Sequence, residues 1–139
     1  MARTTAPLPV ITDENRPFWD GTRAGRLLMQ RCAACAHIRY PNSAVCPRCL
    51  DGAYDWTELS GRGEVFSFTI FHRAYHPAWA DRVPYNVALI QLTEGPRMFS
   101  NVVGLVGSEP IRVGMAVRVV FEAVADSDIV IPQFAVDPA

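Results

Sequence analysis

All four cysteines of the chain, Cys32, Cys35, Cys46 and Cys49, form two C-x-x-C pairs separated by ten residues. Each pair makes a tight turn that directs two sulfurs towards one ion, so two such turns at this spacing predict a tetrahedral site with four cysteine ligands. Four protein ligands leave no coordination position for an activated water. We therefore expect a structural Zn²⁺, with iron, unmetallated thiols and disulfides as the alternatives that the pattern leaves open.

The segment that carries these cysteines is too small to fold by apolar burial alone. A module of about 35 residues buries too little apolar surface to offset its ordering entropy, whereas a bound zinc supplies folding free energy on the order of 10 kcal/mol or more. The short interval between the pairs indicates a compact, rubredoxin-like ribbon. Ala36 and Leu50 follow the second cysteine of each pair, where positive φ and glycine are common, so we expect strain at both positions.

Histidine supplies the other candidates for chemistry, at His37, His72 and His76. No cysteine remains to act as a nucleophile beside them. We therefore assign no catalytic residue and do not expect the chain to be an enzyme by itself. His37 lies between the two cysteine pairs and is either a substitute metal ligand or a solvated loop residue.

A second group of polar and aromatic residues lies in the stretch FHRAYHPAW and comprises His72, Arg73, Tyr75, His76 and Trp79. Aromatic and arginine side chains on a loop at the end of a strand are typical of binding surfaces. We expect these residues to contact a partner or a ligand. Ordinary packing and acid–base catalysis are the alternatives.

The charge distribution separates the cysteine region from the rest of the chain. The net charge of −1 argues against a general nucleic-acid-binding protein. All thirteen basic residues are arginine; five of them lie from Arg23 to Arg48 with no acid between, whereas residues 63–139 hold five arginines and eight acids. Arginine-only usage is typical of GC-rich genomes, but a guanidinium fork also suits phosphate or carboxylate.

The elements that must position these residues are predicted to be mostly strands. Residues 1–11 are predicted to form an extended arm, and Thr12 to cap a short helix through DENRPFWDGTRAG with Asp13 and Glu14 in its first turn. The segments GRLLMQRC and AYDWTEL are strand candidates on either side of the cysteines. We predict three units: arm and helix at 1–24, zinc ribbon at 25–60, and barrel at 61–139.

Strand patterns separated by turns at TEGP and GSEP fill the chain from Gly61 onward. The five candidates are GEVFSFTIFHRAY, PYNVALIQL, RMFSNVVGLV, IRVGMAVRVVFEAV and IVIPQFAV. This count favours a five-stranded OB-type barrel, with an SH3-like barrel or a small sandwich as the alternative. Asn86 is expected to face outward. No apolar run reaches the roughly 18 residues of a membrane span and no secretory signal is evident, so we expect a cytoplasmic protein.

The order of these parts resembles one known family, the zinc-ribbon and OB-fold proteins called domain of unknown function 35. The resemblance is carried by three stretches: RPFWDGTRAGRLLMQRCAACAHIRYPNSAVCPRC, then GRGEVFSFTIFHRAYHPAWADRVPYNVALIQLTEGPRMFSNVVG, then IRVGMAVRVVFEAV with PQFAV. It implies an accessory subunit of a thiolase-fold enzyme acting on acyl-CoA, either a thiolase or a retro-aldolase that cleaves steroid side chains. A role in lipid or steroid degradation follows from the same resemblance.

Under that interpretation, Arg31, Arg39 and Arg48 could lie along the phosphates of coenzyme A or meet an acidic patch on the partner. A solvated basic face is the third alternative for these arginines. The other function class is single-strand nucleic-acid binding by an OB-fold with exposed aromatics. The acidic barrel argues against that class, because tracking a phosphate backbone needs a positive groove.

Overall fold

The computed structural model describes residues 6–105 and 110–138. Residues 1–5 of the predicted arm, and all but the last residue of the predicted GSEP turn, lie outside these ranges. The elements are α1 Arg16–Arg23, β1 Leu27–Cys32, β2 Ile38–Arg39, β3 Tyr54–Leu59, β4 Arg62–Phe71, a 3₁₀ turn Pro77–Trp79, β5 Tyr85–Leu92, β6 Arg97–Ser100, β7 Val102–Val103, β8 Ala116–Ala123 and β9 Val130–Val136. The predicted mostly β class with one N-terminal helix is confirmed.

The helix begins later than the sequence predicted, at Arg16, with Asn15 as its N-cap. Asn15 makes no side-chain cap, and Thr12 caps the turn that leads into α1, as predicted: its Oγ1 accepts from the Asn15 N–H (3.2 Å), its N–H donates to Asn15 Oδ1 (2.7 Å) and its carbonyl accepts from the Arg16 N–H (2.9 Å). The two acids between them lie in this capped turn, just before the first residue of α1. Phe18 is buried on the inner face of α1 and packs on Trp19 and Tyr40 at ring distances of 5.0 and 5.9 Å.

The first sheet has the order β2-β1-β3 and carries the cysteine region. Strands β1 and β3 pair antiparallel from Leu27↔Leu59 to Cys32↔Tyr54, which confirms both predicted strands. The pairing brings β3 back past the first cysteine. The chain then enters the second sheet through Gly61, where φ is +78° and a Cβ would clash with the Val119 side chain.

The second sheet has the order β6-β5-β4-β8-β9-β7. The third predicted barrel strand is divided at Asn101 into β6, which pairs with β5, and β7, which pairs parallel with β9. Because β6 and β7 are joined by one residue, the two ends of the sheet are connected and the barrel closes. The predicted OB-type barrel is confirmed, with its third strand broken in two.

Asn86 holds this break in place and does not face outward as predicted. Its Nδ2 donates to the Val102 carbonyl (2.8 Å), and its Oδ1 accepts from the Val102 N–H (2.8 Å). The Asn101 side chain in turn donates to the Asn86 carbonyl (2.6 Å). The amide replaces the strand partner that the Val102 backbone lacks on that side.

One apolar cluster runs from the first sheet into the barrel. It includes Leu27, Met29 and Leu59 from the ribbon together with Val65 and Phe134 from the barrel. Where the two sheets meet, the Ser60 N–H donates to the Glu94 carboxylate (2.7 Å). In the part of the chain that the structure describes, no helix has the length and apolar character needed to cross a membrane.

Candidate metal centre and contact surfaces

The two cysteine turns bring all four sulfurs to one point. The Sγ atoms of Cys32, Cys35, Cys46 and Cys49 lie within 4.8 Å of one another, with Cys32–Cys49 at 3.5 Å and Cys35–Cys46 at 3.6 Å. A zinc ion held by four thiolates at about 2.3 Å separates neighbouring sulfurs by about 3.8 Å. The four cysteines are therefore positioned to bind a metal ion, and their all-sulfur donor set fits structural Zn²⁺.

The two turns have the same backbone hydrogen bonds. The N–H groups of Cys32 and Cys46 donate to the carbonyls five residues later, at 2.8 and 2.9 Å. The N–H groups of Ala36 and Leu50 donate back to the carbonyls of Cys32 and Cys46, at 2.9 and 2.8 Å. This geometry requires positive φ at Ala36 (64°) and Leu50 (67°), as the sequence predicted for the positions after each pair.

Without a bound cation, the four neighbouring sulfurs would repel one another as thiolates. Burial alone would raise the pKa of the Cys46 thiol, but backbone N–H groups of Cys49 and Arg48 outweigh burial and lower that pKa to about 6. The backbone N–H of Asp51 lowers the pKa of Cys49, but the Cys32 sulfur, burial and the sulfurs of Cys35 and Cys46 together outweigh that effect, and the pKa rises to about 12. Four adjacent thiolates repel one another, and a bound cation removes that conflict.

The burial of Arg39 removes it from the basic face predicted for the ribbon. Arg31 and Arg48 are exposed, but Arg39 is only 3% exposed. Its Nε donates to Gln30 Oε1 (2.9 Å), its Nη2 donates to the Ser43 carbonyl (2.9 Å), and its guanidinium lies over the Tyr54 ring at 4.9 Å. The guanidinium is used inside the ribbon because β2 pairs Arg39 directly with Gln30 on β1.

A cavity of about 260 Å³ lies between α1, the arm and the ribbon. Its walls include Trp19, Tyr40 and Trp56, and Arg39 contributes to the lining. The Nη1 of Arg39 is buried with no hydrogen-bond partner among the described residues. A buried donor without a partner costs about 1–3 kcal/mol, which the Tyr54 contact offsets in part.

The loop between β4 and β5 gathers the second group of predicted residues. Tyr75 is 75% exposed, and the Arg73 guanidinium lies 5.4 Å from its ring centroid. His72 is exposed as well. His76 has a structural task, since its Nδ1 accepts from a backbone N–H (3.1 Å) at the start of the 3₁₀ turn and its ring packs on Trp79 at 5.5 Å. The loop therefore presents His72, Arg73 and Tyr75 to solvent.

His37 is half-buried and stands apart from the four sulfurs. The ligand cluster found in residues 6–105 and 110–138 consists of the cysteines alone. His37 instead lines a crevice together with Arg48 and with Glu94 of the β5–β6 turn. The arrangement does not place His37 as a substitute ligand.

Family models match both parts of this chain. The ChsH2 rubredoxin-like zinc ribbon domain matches residues 19–55, and the ChsH2 C-terminal OB-fold domain matches residues 56–122. A solved chain of the Ltp2-ChsH2(DUF35) aldolase superposes with a TM-score of 0.81 at 36% identity, over 93% of this chain and 98% of that one. This chain therefore belongs to the DUF35 family, in its form with a ChsH2-type zinc ribbon and OB-fold.

Three relatives differ in how much of them this chain covers. A probable enoyl-CoA hydratase alpha subunit of Thermomonospora curvata is 39% identical over 92% of this chain, which spans only 39% of that protein. A DUF35 domain-containing scaffold protein of Methanocaldococcus jannaschii is 30% identical over 72% of this chain and 70% of its own length. The benzoylsuccinyl-CoA thiolase subunit BbsA of Thauera aromatica is 30% identical over 62% of this chain and 58% of its own length.

The sequence patterns missed an exposed apolar surface on the barrel. Phe66, at the bulge of β4 between Val65 and Ser67, is 44% exposed, and Phe99 on β6 is 71% exposed. A signal was available in GEVFSFTIF, where apolar residues occupy both faces of one strand rather than every second position. A strand of a small barrel needs apolar residues on its inner face only, so the outer phenylalanines require another explanation.

Proposed function

We propose that this chain is a non-catalytic accessory subunit that binds and stabilises a thiolase-fold enzyme acting on acyl-CoA thioesters. The observation that carries the proposal is the match along 98% of a chain of the Ltp2-ChsH2(DUF35) aldolase. The partner would cleave or form a C–C bond of an acyl-CoA, as a retro-aldolase or as a thiolase. The relative named benzoylsuccinyl-CoA thiolase subunit BbsA supports a thiolase as the partner.

The zinc site has a structural role in this proposal. Cys32, Cys35, Cys46 and Cys49 would hold the ion, and these are all the cysteines of the chain. No thiol is left to act as a nucleophile on a thioester, so the catalytic groups would come from the partner. Four reduced cysteines suit a cytoplasmic location.

The exposed residues of the ribbon and of the β4–β5 loop are the candidate contacts. We assign Arg31 and Arg48 to the phosphates of coenzyme A or to an acidic surface of the partner. Arg73 and Tyr75 on the loop are assigned to the partner or to the acyl-CoA. Arg39 is withdrawn from this set because its guanidinium is buried.

The test is co-purification from the native source followed by assay of the complex. We expect a thiolase-fold enzyme at a fixed ratio to this chain, and acyl-CoA lyase or acyltransferase activity in the complex but not in the chain alone. Turnover by the chain alone would contradict the proposal, and so would the absence of any thiolase-fold protein from the purified complex. Binding of a single-stranded oligonucleotide that weakens steeply with salt would favour the nucleic-acid alternative instead.

A further inference from the structure

The outer face of strands β4, β5 and β6 carries an apolar surface that the barrel itself does not use. Register pairs Ser67 with Leu89 and Leu89 with Phe99, so this row runs across all three strands. Phe66 joins it at the register shift between Val65 and Ser67. The inner row of the same strands, Val65, Ile90 and Met98, is buried in the core. We call Phe66, Leu89, Arg97 and Phe99 the outer patch.

Arg97 is positioned within this patch by two contacts. Its guanidinium lies 3.8 Å from the centroid of the Phe66 ring. Its Nε donates to Gln91 Oε1 (2.7 Å), and Gln91 is fixed in turn because its Nε2 donates to the Gly95 carbonyl (2.8 Å). No bond to the terminal nitrogens of Arg97 is found among residues 6–105 and 110–138, and the side chain is exposed, so both nitrogens are open to a partner.

A preordered arginine on an aromatic surface has a specific use in protein recognition. An exposed arginine ordinarily loses much side-chain entropy when it is bound, and here the fold has already ordered it. A guanidinium surrounded by apolar groups binds a carboxylate through two parallel hydrogen bonds. Aromatic residues and arginine together are the composition of the strongest contacts in protein interfaces.

We propose that the outer patch is the surface that docks on the thiolase-fold partner, with Phe99 entering an apolar depression and Arg97 receiving a partner carboxylate. This inference rests on the proposed function and names the surface that performs it. The charges favour a protein over a nucleic acid. Glu64 stands in the same register row as Gln91 and Arg97, and Glu94 lies in the adjoining turn, so a run of phosphates along this face would be repelled by two carboxylates, whereas a protein partner needs only one carboxylate, at Arg97.

The test measures the affinity of the full chain for the purified thiolase-fold subunit obtained in the co-purification described above. Phe99→Ser is expected to weaken binding about 30-fold, and Arg97→Gln about 10-fold, as for central interface residues. The matched controls are Val10→Ser, an apolar residue 78% exposed in the N-terminal arm, and Arg23→Gln, an exposed arginine at the end of α1. Both controls should stay within about twofold of the original affinity. Thermal unfolding and zinc content of each variant establish that it is folded.

The outcomes separate the two proposals. If the original chain binds the thiolase-fold subunit and Phe99→Ser and Arg97→Gln bind equally well, the patch proposal is overturned and the accessory function stands. If the original chain does not bind that subunit, both proposals are overturned. If the isolated chain is a dimer that Phe99→Ser dissociates, or binds oligo(dT) in a way that Arg97→Gln abolishes, the patch has a different occupant and the proposal is wrong.

Discussion

The ribbon and the barrel reach a fixed structure by different means. In the barrel, a closed sheet surrounds side chains such as Val65, Ile90 and Phe134, each fully buried. In the ribbon, β1 and β3 rest on the same apolar cluster, but the two cysteine turns lie beyond it and bring their four sulfurs to one point. The barrel is thus stabilised by packing, whereas the tip of the ribbon requires an ion.

The largest effect that separates the two regions is expected on removal of the metal. Cys46→Ser, or chelation of the original protein, removes a contribution on the order of 10 kcal/mol from the ribbon. We expect amide protection to collapse across residues 32–54 while β8 and β9 keep theirs, since they do not contact the site. Hydrogen exchange with zinc analysis on the same samples measures this. A metal-free Cys46→Ser protein with unchanged protection would contradict the structural role.

Acid should produce the same separation by a different route. The sulfurs bind the metal as thiolates, so protons compete with the ion and loading falls as the pH is lowered. The ribbon should therefore open before the barrel on acidification, and zinc release should coincide with the ribbon signal. Simultaneous loss of β8–β9 protection and zinc at the same pH would show that the two regions do not differ in this way.

The next largest effect is expected when a core side chain of the barrel is removed. Phe134→Ala empties a site that is 0% exposed on β9 and should cost about 3–5 kcal/mol of unfolding free energy. The matched control is Phe99→Ala on β6, where the ring is 71% exposed and the cost should stay within about 0.5 kcal/mol. Denaturant unfolding of the zinc-loaded proteins measures both. Equal costs for the two substitutions would disprove the packing account of the barrel.

A smaller loss of stability is expected when the hydrogen bonds that close the barrel beside Asn101 are removed. Asn86→Ala leaves the N–H and the carbonyl of Val102 without their partner, and Val102 is only 3% exposed. The expected cost is about 1–3 kcal/mol, with faster exchange where β7 pairs with β9. Asn42→Ala, at a half-buried asparagine of the ribbon, is the control and should leave that exchange unchanged. Unaltered amide protection of β7 in Asn86→Ala would contradict the role assigned to Asn86 in closing the barrel.

The features that the sequence predicted correctly are those specified by local pattern. The cysteine spacing defined the metal centre, and alternation with turn residues defined β1, β3 and most of the barrel. The positive φ at Ala36 and Leu50 followed from the geometry of a cysteine turn without glycine.

The features that it did not predict depend on contacts between distant residues. Asn86 meets Val102 across 16 positions of sequence, and no local pattern marks that pairing. Arg39 is buried because β2 sets it opposite Gln30 and because the Ser43 carbonyl faces it. Thr12 caps the turn as the sequence predicted, but the regular helix begins only at Arg16, and no local pattern marks that later start.

The smallest predicted effect concerns the cost of building the cysteine turns without glycine. A non-glycine residue at the φ of Ala36, 64°, costs roughly 1–2 kcal/mol, and glycine removes that cost but loses about 0.5–1 kcal/mol of ordering entropy. Ala36→Gly should therefore raise ribbon stability by up to about 1.5 kcal/mol, seen as slower zinc loss to a chelator.

Ala34, in the middle of the same turn, provides a control with the opposite sign. Its φ is not among the positive values, so Ala34→Gly brings only the entropy cost and should accelerate zinc loss. If the ribbon tip depends on the ion for its structure, both changes appear in the zinc release rate and neither alters exchange in β8–β9. The same direction of effect for both variants would mean that backbone strain at Ala36 does not limit the stability of the site.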